Sequence, residues 1–145
     1  MGEIPNWKDF EVPDDLVDSL QANGFGKPTE VQARSLVHLE ARVDMVIAAR
    51  TGQGKTLCFG VPILDLCLRK IEKAKEKAGA SDSDSEKDSN SGDSKPKFEF
   101  EGVCGLILSP TRELAIQIKD MIEAVIPAEH QETIKIAAIV GGMSI

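Results

Sequence analysis

Residues 43–56 decide the fold, and they read V-D-M-V-I-A-A-R-T-G-Q-G-K-T. The first half of this stretch, 43–49, is a short apolar run, which is typical of a parallel strand covered by helices on both faces. The second half, 51–56, predicts a phosphate-binding loop. Gly52 and Gly54 let the backbone turn tightly and direct its N–H groups at an anion. The sequence therefore predicts a nucleotide-binding site between a strand and a helix.

The side chains that close this loop have the chemistry that a nucleotide needs. Lys55 supplies a positive charge for the β and γ phosphates, and the Thr56 hydroxyl can bind Mg²⁺. The helix that begins near Lys55 directs its positive end at the same place. Ala49 stands where the strict signature has glycine. A chance glycine-rich turn is the alternative interpretation, but the flanking strand and apolar helix favour the nucleotide site.

The composition fits one soluble domain. The chain has 145 residues, of which 41% are hydrophobic. Its three cysteines form no C-x-x-C pair, which favours reduced thiols in a cytosolic or nuclear protein. The first ten residues lack the apolar segment of a secretion signal, and no run is long enough to span a membrane. His38 and His130 show no metal-ligand spacing, so we expect ordinary surface or packing roles for both.

The net charge of −7 argues against a nucleic-acid partner, but much of it lies in one segment. Residues 72–98 are a low-complexity acidic insertion, and 79–94 hold five acidic residues and one lysine. This stretch has too little apolar surface to offset the entropy of ordering, so we expect disorder. Ser81, Ser83 and Ser85 each have an acidic residue three positions on. That spacing suits either acid-directed phosphorylation or a plain solubilising loop.

The rest of the chain alternates between helix and strand patterns. Apolar spacing, caps and breakers predict a helix from Pro13 to Asn23, a second capped by Thr29 and ending near Leu39, a third over 57–68, and a fourth from Leu114 to Val125. Gly60 and Pro62 predict a kink in the third helix, and the charged residues 71–77 can prolong it.

Strand-like apolar runs occupy 43–49, 103–108 and 134–140. Together with the helices they predict a three-layer α/β domain with parallel strands and right-handed crossovers. In such a sheet, the loops that follow the strands lie at one edge, where ligands bind.

Gln32 has two interpretations. With Thr29 it forms the capping-box pattern of a helix start, which is a purely structural role. Its amide also offers the donor and acceptor that match N6 and N7 of adenine. The neighbouring phosphate loop favours the adenine role.

Four motifs now carry a family resemblance. In order they are G-F-x-x-P-T-x-x-Q at 24–32, A-x-T-G-x-G-K-T at 49–56, P-T-R-E-L-A at 110–115, and G-G at 141–142. This series resembles the N-terminal part of the first RecA-like domain of DEAD-box ATP-dependent RNA helicases. The resemblance implies a truncated RecA-like fold over 1–145, with an adenine-recognition region at 7–40.

The resemblance also implies residue roles for ATP and Mg²⁺. An aromatic residue seventeen positions before the first motif stacks on adenine in this family, and that position is Trp7. Lys55 and Thr56 take the catalytic positions, and Thr56 binds Mg²⁺. The implied nucleotide contacts are Trp7, Gln32, Ala49, Arg50, Thr51, Gly52, Gln53, Gly54, Lys55 and Thr56.

The third and fourth motifs imply contacts with the RNA backbone that are independent of sequence. The residues concerned are Pro110, Thr111, Arg112, Gly141 and Gly142. Trp7, the acidic insertion and the final V-G-G-M-S are similar to the nucleolar branch that acts in assembly of the large ribosomal subunit. That branch implies a monomer in the nucleus or nucleolus, with the cytoplasm as the alternative, with pre-ribosomal proteins as partners and no membrane.

Several family motifs do not occur in this sequence, namely D-E-A-D, S-A-T and T-P-G-R. Phosphoryl transfer needs a carboxylate to hold Mg²⁺ and a positive charge at the γ phosphate. We therefore expect the chain alone to be inactive. Two other classes stay open: a nucleotide switch or small-molecule kinase, and a non-catalytic module that binds partners through the acidic tract.

Overall fold

The protein is described by a computed structural model that covers residues 5–38, 43–79 and 102–142, with side chains as far as Lys77 in the second range. Helices dominate these residues. In chain order they are a 3₁₀-helix at Trp7–Phe10, α1 at Asp14–Ala22, α2 at Glu30–Leu36, α3 at Lys55–Gly79, α4 at Arg112–Ala124 and a 3₁₀-helix at Ala128–His130.

Helix α1 forms where the sequence predicts it. Asp14 and Asp15 lie in its first turn, where acidic groups stabilise the positive end of the helix. Its buried face consists of Leu16, Val17 and Leu20. At its other end the Asn23 side chain donates a hydrogen bond to the carbonyl oxygen of Ala124, 2.8 Å away. Helix α1 is thus fastened to the end of α4.

Helix α3 is the central element of the described fold. Its 25 residues include the predicted segment and the charged extension, and it stays continuous through Gly60 and Pro62, where we expected an irregularity. Gly60 lets α4 approach closely, since a Cβ there would lie 3.2 Å from Ile122 Cγ1. Burial of Leu57, Val61, Leu64 and Leu68 holds the helix in place. Packing therefore overrides the poor helix propensity of two residues.

The core gathers apolar side chains from every described helix except the 3₁₀-helix at Ala128–His130. Its largest fully buried members are Trp7, Leu16, Leu20, Leu57, Leu64 and Ile122. The segment after α4 joins the core through Ile134, and Ile107 and Ile136 pack against it. The core thus holds the start of α3 beside α2, which positions the loop described below.

The predicted strands are not formed as strands within the described residues. Ile107 of segment 103–108 and Ile136 of segment 134–140 pack against the core, whereas segment 43–49 is mostly exposed. Val46 is 101% exposed and Ile139 is 95% exposed, although both were expected to be buried. An apolar run shows that a segment favours burial, but a sheet also needs a neighbouring backbone to pair with. The described chain supplies neither that pairing nor a layer over the outer side.

Helix α2 ends at Leu36, with Val37 as its C-cap, which is earlier than the expected end near Leu39. Most of the predicted insertion at 72–98 lies outside the described residues, since description stops at Gly79 and resumes at Gly102. Across the described ranges, every helix is too short or too polar to cross a membrane.

Candidate nucleotide and nucleic-acid sites

The loop at 49–56 makes a tight turn directly before α3. Gly52 and Gly54 have φ angles of +81° and +80°, which side-chain-bearing L residues rarely adopt. The turn leads into the N-terminus of α3, whose first four N–H groups have no partner within the helix. The Leu57 N–H donates to the carbonyl oxygen of Gly54 at 3.2 Å. Helix polarity and the other N–H groups together make this end of α3 suitable for an anion.

Lys55 lies folded over the loop. Its Nζ atom donates to the carbonyl oxygens of Ala49, at 2.6 Å, and Arg50, at 2.9 Å. The ammonium is therefore positioned by the same backbone that forms the turn. Thr56 follows in the first turn of α3 and is half-buried. The Lys55 and Thr56 side chains therefore both lie at the N-terminal, positive end of α3.

Helix α2 is hydrogen-bonded to this loop through its capping residues. The Thr29 hydroxyl donates to the carbonyl oxygen of Gln53 at 2.9 Å. The Gln32 amide nitrogen donates to the carbonyl oxygen of Gly54, also at 2.9 Å. The oxygen of the same Gln32 amide accepts a hydrogen bond from the Thr29 N–H at 2.8 Å, which completes the predicted capping box. One pair of residues thus caps a helix and fixes the phosphate loop.

Gln32 retains capacity for a ligand. A glutamine amide has two N–H donors and two acceptor lone pairs, and the contacts above use one of each. Gln32 is 2% exposed. The amide is held in a single orientation, as a residue that reads a base edge requires.

Trp7 is buried in this structure, and its predicted stacking on adenine stays a prediction. The residue is 0% exposed, and its indole N–H donates to the carbonyl oxygen of Phe25 at 2.6 Å. Both faces of the ring are enclosed by the core. An aromatic residue before a capped helix favours core packing as strongly as ligand stacking, and the chain pattern does not separate the two roles. Phe10 is also buried in the same cluster.

A groove of about 360 Å³ runs beside the loop, between α2 and residues 48–53. It is lined by Val31 and Arg34 on one side and by Ala49, Arg50 and Gln53 on the other. Gln32 does not line it, so the groove borders the phosphate loop but does not reach the predicted adenine contact.

The structure brings three of the predicted RNA-contacting residues together. A Cβ placed on Gly142 would lie 3.0 Å from a guanidinium nitrogen of Arg112, and one on Gly141 would lie 3.7 Å away. Gly142 has a φ angle of +87°. All three residues are exposed. This corner therefore presents a guanidinium beside a glycine turn.

Thr111 has a structural role next to this corner. Its Oγ1 accepts a hydrogen bond from the Leu114 N–H at 3.2 Å and so caps α4. A capped helix start has a fixed direction, and it directs the N-terminus of α4 toward the same side as Arg112. Pro110 precedes it and is exposed.

The pattern of the DEAD/DEAH box helicases matches residues 29–145. This range contains both the phosphate loop and the corner formed by Arg112, Gly141 and Gly142. The chain belongs to this family.

Helicases in distant organisms are similar to this DEAD/DEAH box chain. The Neurospora crassa protein named ATP-dependent RNA helicase mak-5 is 30% identical over 143 residues, which are 99% of this chain and 15% of that protein. The Dictyostelium discoideum protein named ATP-dependent RNA helicase ddx24 is 35% identical, over 98% of this chain and 16% of that protein. The Methanocaldococcus jannaschii protein named probable ATP-dependent RNA helicase MJ0669 is 30% identical, over 99% and 30% respectively. The chain thus spans between 15% and 30% of these three relatives. No solved structure gives a significant match.

Sequence reasoning missed two features of this helicase segment. It treated the capping box and the phosphate loop separately, although the hydrogen bonds of Thr29 and Gln32 join them. It also missed a polar cluster in which ligand atoms of Asp15, Glu129 and His130 lie within 4.8 Å of one another. The first could have been anticipated from two adjacent motifs. The second joins residues more than 100 positions apart, which local spacing does not reveal.

Proposed function

We propose that this chain is the nucleotide- and RNA-binding segment of an ATP-dependent RNA helicase. The observation that carries the proposal is the pair of hydrogen bonds from Thr29 and Gln32 to the loop before α3. They join an amide suited to adenine to a turn suited to phosphate. The family membership and the names of the relatives support the same activity.

ATP would bind with its phosphates at the loop and its base toward α2. The N–H groups of the 51–56 turn and the start of α3 would hold the phosphates, and Lys55 would contribute the positive charge. Mg²⁺, for which the Thr56 hydroxyl is a suitable ligand, would neutralise charge between the phosphates when bound. Gln32 would read the adenine edge with the donor and acceptor that its present contacts leave over.

RNA would bind through its phosphates at the corner of Arg112, Gly141 and Gly142. A guanidinium forms two parallel hydrogen bonds to a phosphate, and glycine lets a backbone approach closely. Both contacts are independent of base identity, so this site would position RNA without selecting a sequence. Pro110 and Thr111 would shape the approach to it.

We further propose how the three apolar segments pair and where in the cell the protein acts. The segments 43–49, 103–108 and 134–140 would pair as parallel strands in the longer protein, whose other residues would cover their exposed side. The similarity of Trp7, the acidic insertion and the final residues to the nucleolar branch supports a nuclear, nucleolar role in assembly of the large ribosomal subunit. Pre-ribosomal proteins would then be partners of a protein that acts as a monomer.

Replacement of Lys55 by alanine tests the ATP site. The change removes a charged donor from the phosphates, which contributes about 1.5–3 kcal/mol, so we expect ATP affinity to fall about 10- to 100-fold. Binding is measured with a fluorescent ATP analogue and Mg²⁺. Lys77→Ala removes an exposed lysine from the far part of α3 and should leave affinity unchanged. Equal affinity in the wild type and Lys55→Ala would refute the assignment.

Replacement of Arg112 by alanine tests the RNA corner. We expect weaker binding of single-stranded RNA by a similar factor for every sequence. The slope of log affinity against log salt concentration should become shallower by about 0.7, since one phosphate contact is lost. Fluorescence anisotropy at several salt concentrations measures both quantities. Arg34→Ala is the matched control, because Arg34 is exposed and paired with Glu30 on α2. A loss that depends on the RNA sequence, or an unchanged slope, would contradict the proposal.

A further inference from the structure

Two of the three cysteines meet where the chain before α4 crosses α3. Ile63, Cys67 and Lys70 lie on one face of α3, because residues spaced by four and three recur on the same side of a helix. The crossing chain contacts both ends of this face. A Cβ on Gly105 would lie 2.8 Å from Ile63 Cγ2, and Lys70 Nζ lies 3.8 Å from Cys104 Sγ. Cys104 therefore lies over the part of the helix that carries Cys67.

Cys67 and Cys104 are neighbours at this crossing, and both are reduced and half-buried. Cys58, the third cysteine, is buried at the start of α3 and packs apart from this crossing. A disulfide needs its two sulfur atoms close together on facing elements, and this crossing places Cys104 on the segment that faces the Cys67 side of α3.

We propose that Cys67 and Cys104 form a modification site at which an oxidant of the peroxide class creates a reversible disulfide. The thiolate of Cys104 attacks one peroxide oxygen and becomes a sulfenic acid, and the other oxygen leaves as hydroxide. The Cys67 thiol then attacks the sulfenic sulfur, and water leaves with the Cys67 proton. Two thiols are oxidised, and one peroxide is reduced to two molecules of water. A dithiol reductant reverses the reaction.

The surroundings assign the order of the two thiols. Burial, followed by the neighbouring Cys104, raises the pKa of Cys67 to about 11. Cys104 has the Lys70 ammonium beside its sulfur atom. A positive charge next to a sulfur atom is the environment in which protein thiols react with peroxide.

The disulfide would link the segment before the proposed RNA corner to the helix that follows the phosphate loop. Formation of the disulfide does not depend on whether either proposed site binds its ligand. The chain at Cys104 leads directly into Pro110 and Arg112, and Cys67 lies on the helix that begins at Lys55. Oxidation would fasten the approach to the RNA corner onto the helix of the phosphate loop. The segment 103–109 would then lose the freedom to move against α3.

The test treats the purified protein with hydrogen peroxide and labels the remaining thiols with a maleimide after denaturation. We expect one labelled thiol of the three to remain, together with a loss of two hydrogens that dithiothreitol reverses. Peptide mass analysis should link Cys67 to Cys104. Amide exchange over 103–109 should slow at least about tenfold in the oxidised protein, because a cross-link limits local opening.

Three variants complete the test. Cys58→Ser should form the same disulfide and keep no labelled thiol. Cys67→Ser and Cys104→Ser should each show no intrachain loss of two hydrogens, and circular dichroism of both establishes that they are folded. Retention of three labelled thiols in the wild type would overturn the proposal. A link through Cys58, or one that joins separate chains, would overturn it equally.

Discussion

Replacement of Trp7 by alanine should lower the free energy of unfolding by about 3–5 kcal/mol. The ring is wholly enclosed, and its indole N–H is bonded to the Phe25 carbonyl oxygen. Its removal leaves a large cavity together with an acceptor that has lost its partner. Urea denaturation should show a lower midpoint with an unchanged slope. A loss of this size is a large part of the stability of an ordinary domain.

Trp7→Phe is the matched control for this experiment. It keeps most of the ring and removes only the N–H, so we expect a smaller loss of about 1–2 kcal/mol. Trp7 is also the single tryptophan in the sequence, so intrinsic fluorescence reports on it alone. The emission should resist quenching by acrylamide and should not respond to ATP. Quenching of this emission by ATP, with an unchanged urea midpoint in Trp7→Ala, would restore the stacking role.

Replacement of Gly54 by alanine should damage both the fold of the loop and its affinity for nucleotide. A Cβ at this position would collide with the Gln32 amide nitrogen, and the φ angle of +80° is strained for any residue with a side chain. Strain costs about 1–2 kcal/mol, and displacement of a buried amide costs about 1–3 kcal/mol more. ATP affinity should fall at least about tenfold, and the preference for ATP over GTP should fall with it. Titration with fluorescent analogues of both nucleotides measures these changes.

Gly52→Ala separates the two causes. Its φ angle of +81° imposes the same strain, but a Cβ there meets no atom within 4 Å. We expect it to lose stability by strain alone and to keep the preference for adenine. If both variants lose that preference equally, the contact between Gln32 and Gly54 is not what aligns the amide.

The helices and the phosphate turn could be predicted because their signals are local. The acidic first turn of α1, the Thr29–Gln32 capping box and the paired glycines of the loop each specify a structure within a few residues. The continuity of α3 was not predicted, because Gly60 and Pro62 suggested a kink. Close packing of Ile122 on Gly60 outweighs that local preference.

The sheet and the role of Trp7 could not be settled in the same way. Residues 134–140 alternate between the core and the exposed side, and pairing depends on backbone elsewhere in the chain. Burial of Trp7 depends on Phe25 and on helices that follow it in the sequence. Strand pairing and the burial of Trp7 both depend on contacts between residues that are distant in sequence, and local residue spacing does not predict such contacts.

The hydrogen bond between Asn23 and Ala124 has a consequence for the timing of folding. It joins residues 101 positions apart, so the end of α1 cannot reach its native surroundings by local steps. During synthesis at about 5–20 residues per second, α1 leaves the ribosome roughly 5–20 seconds before α4 exists to receive it. The Asn23 side chain is without that acceptor for the whole interval, so the end of α1 stays solvated until α4 has been made.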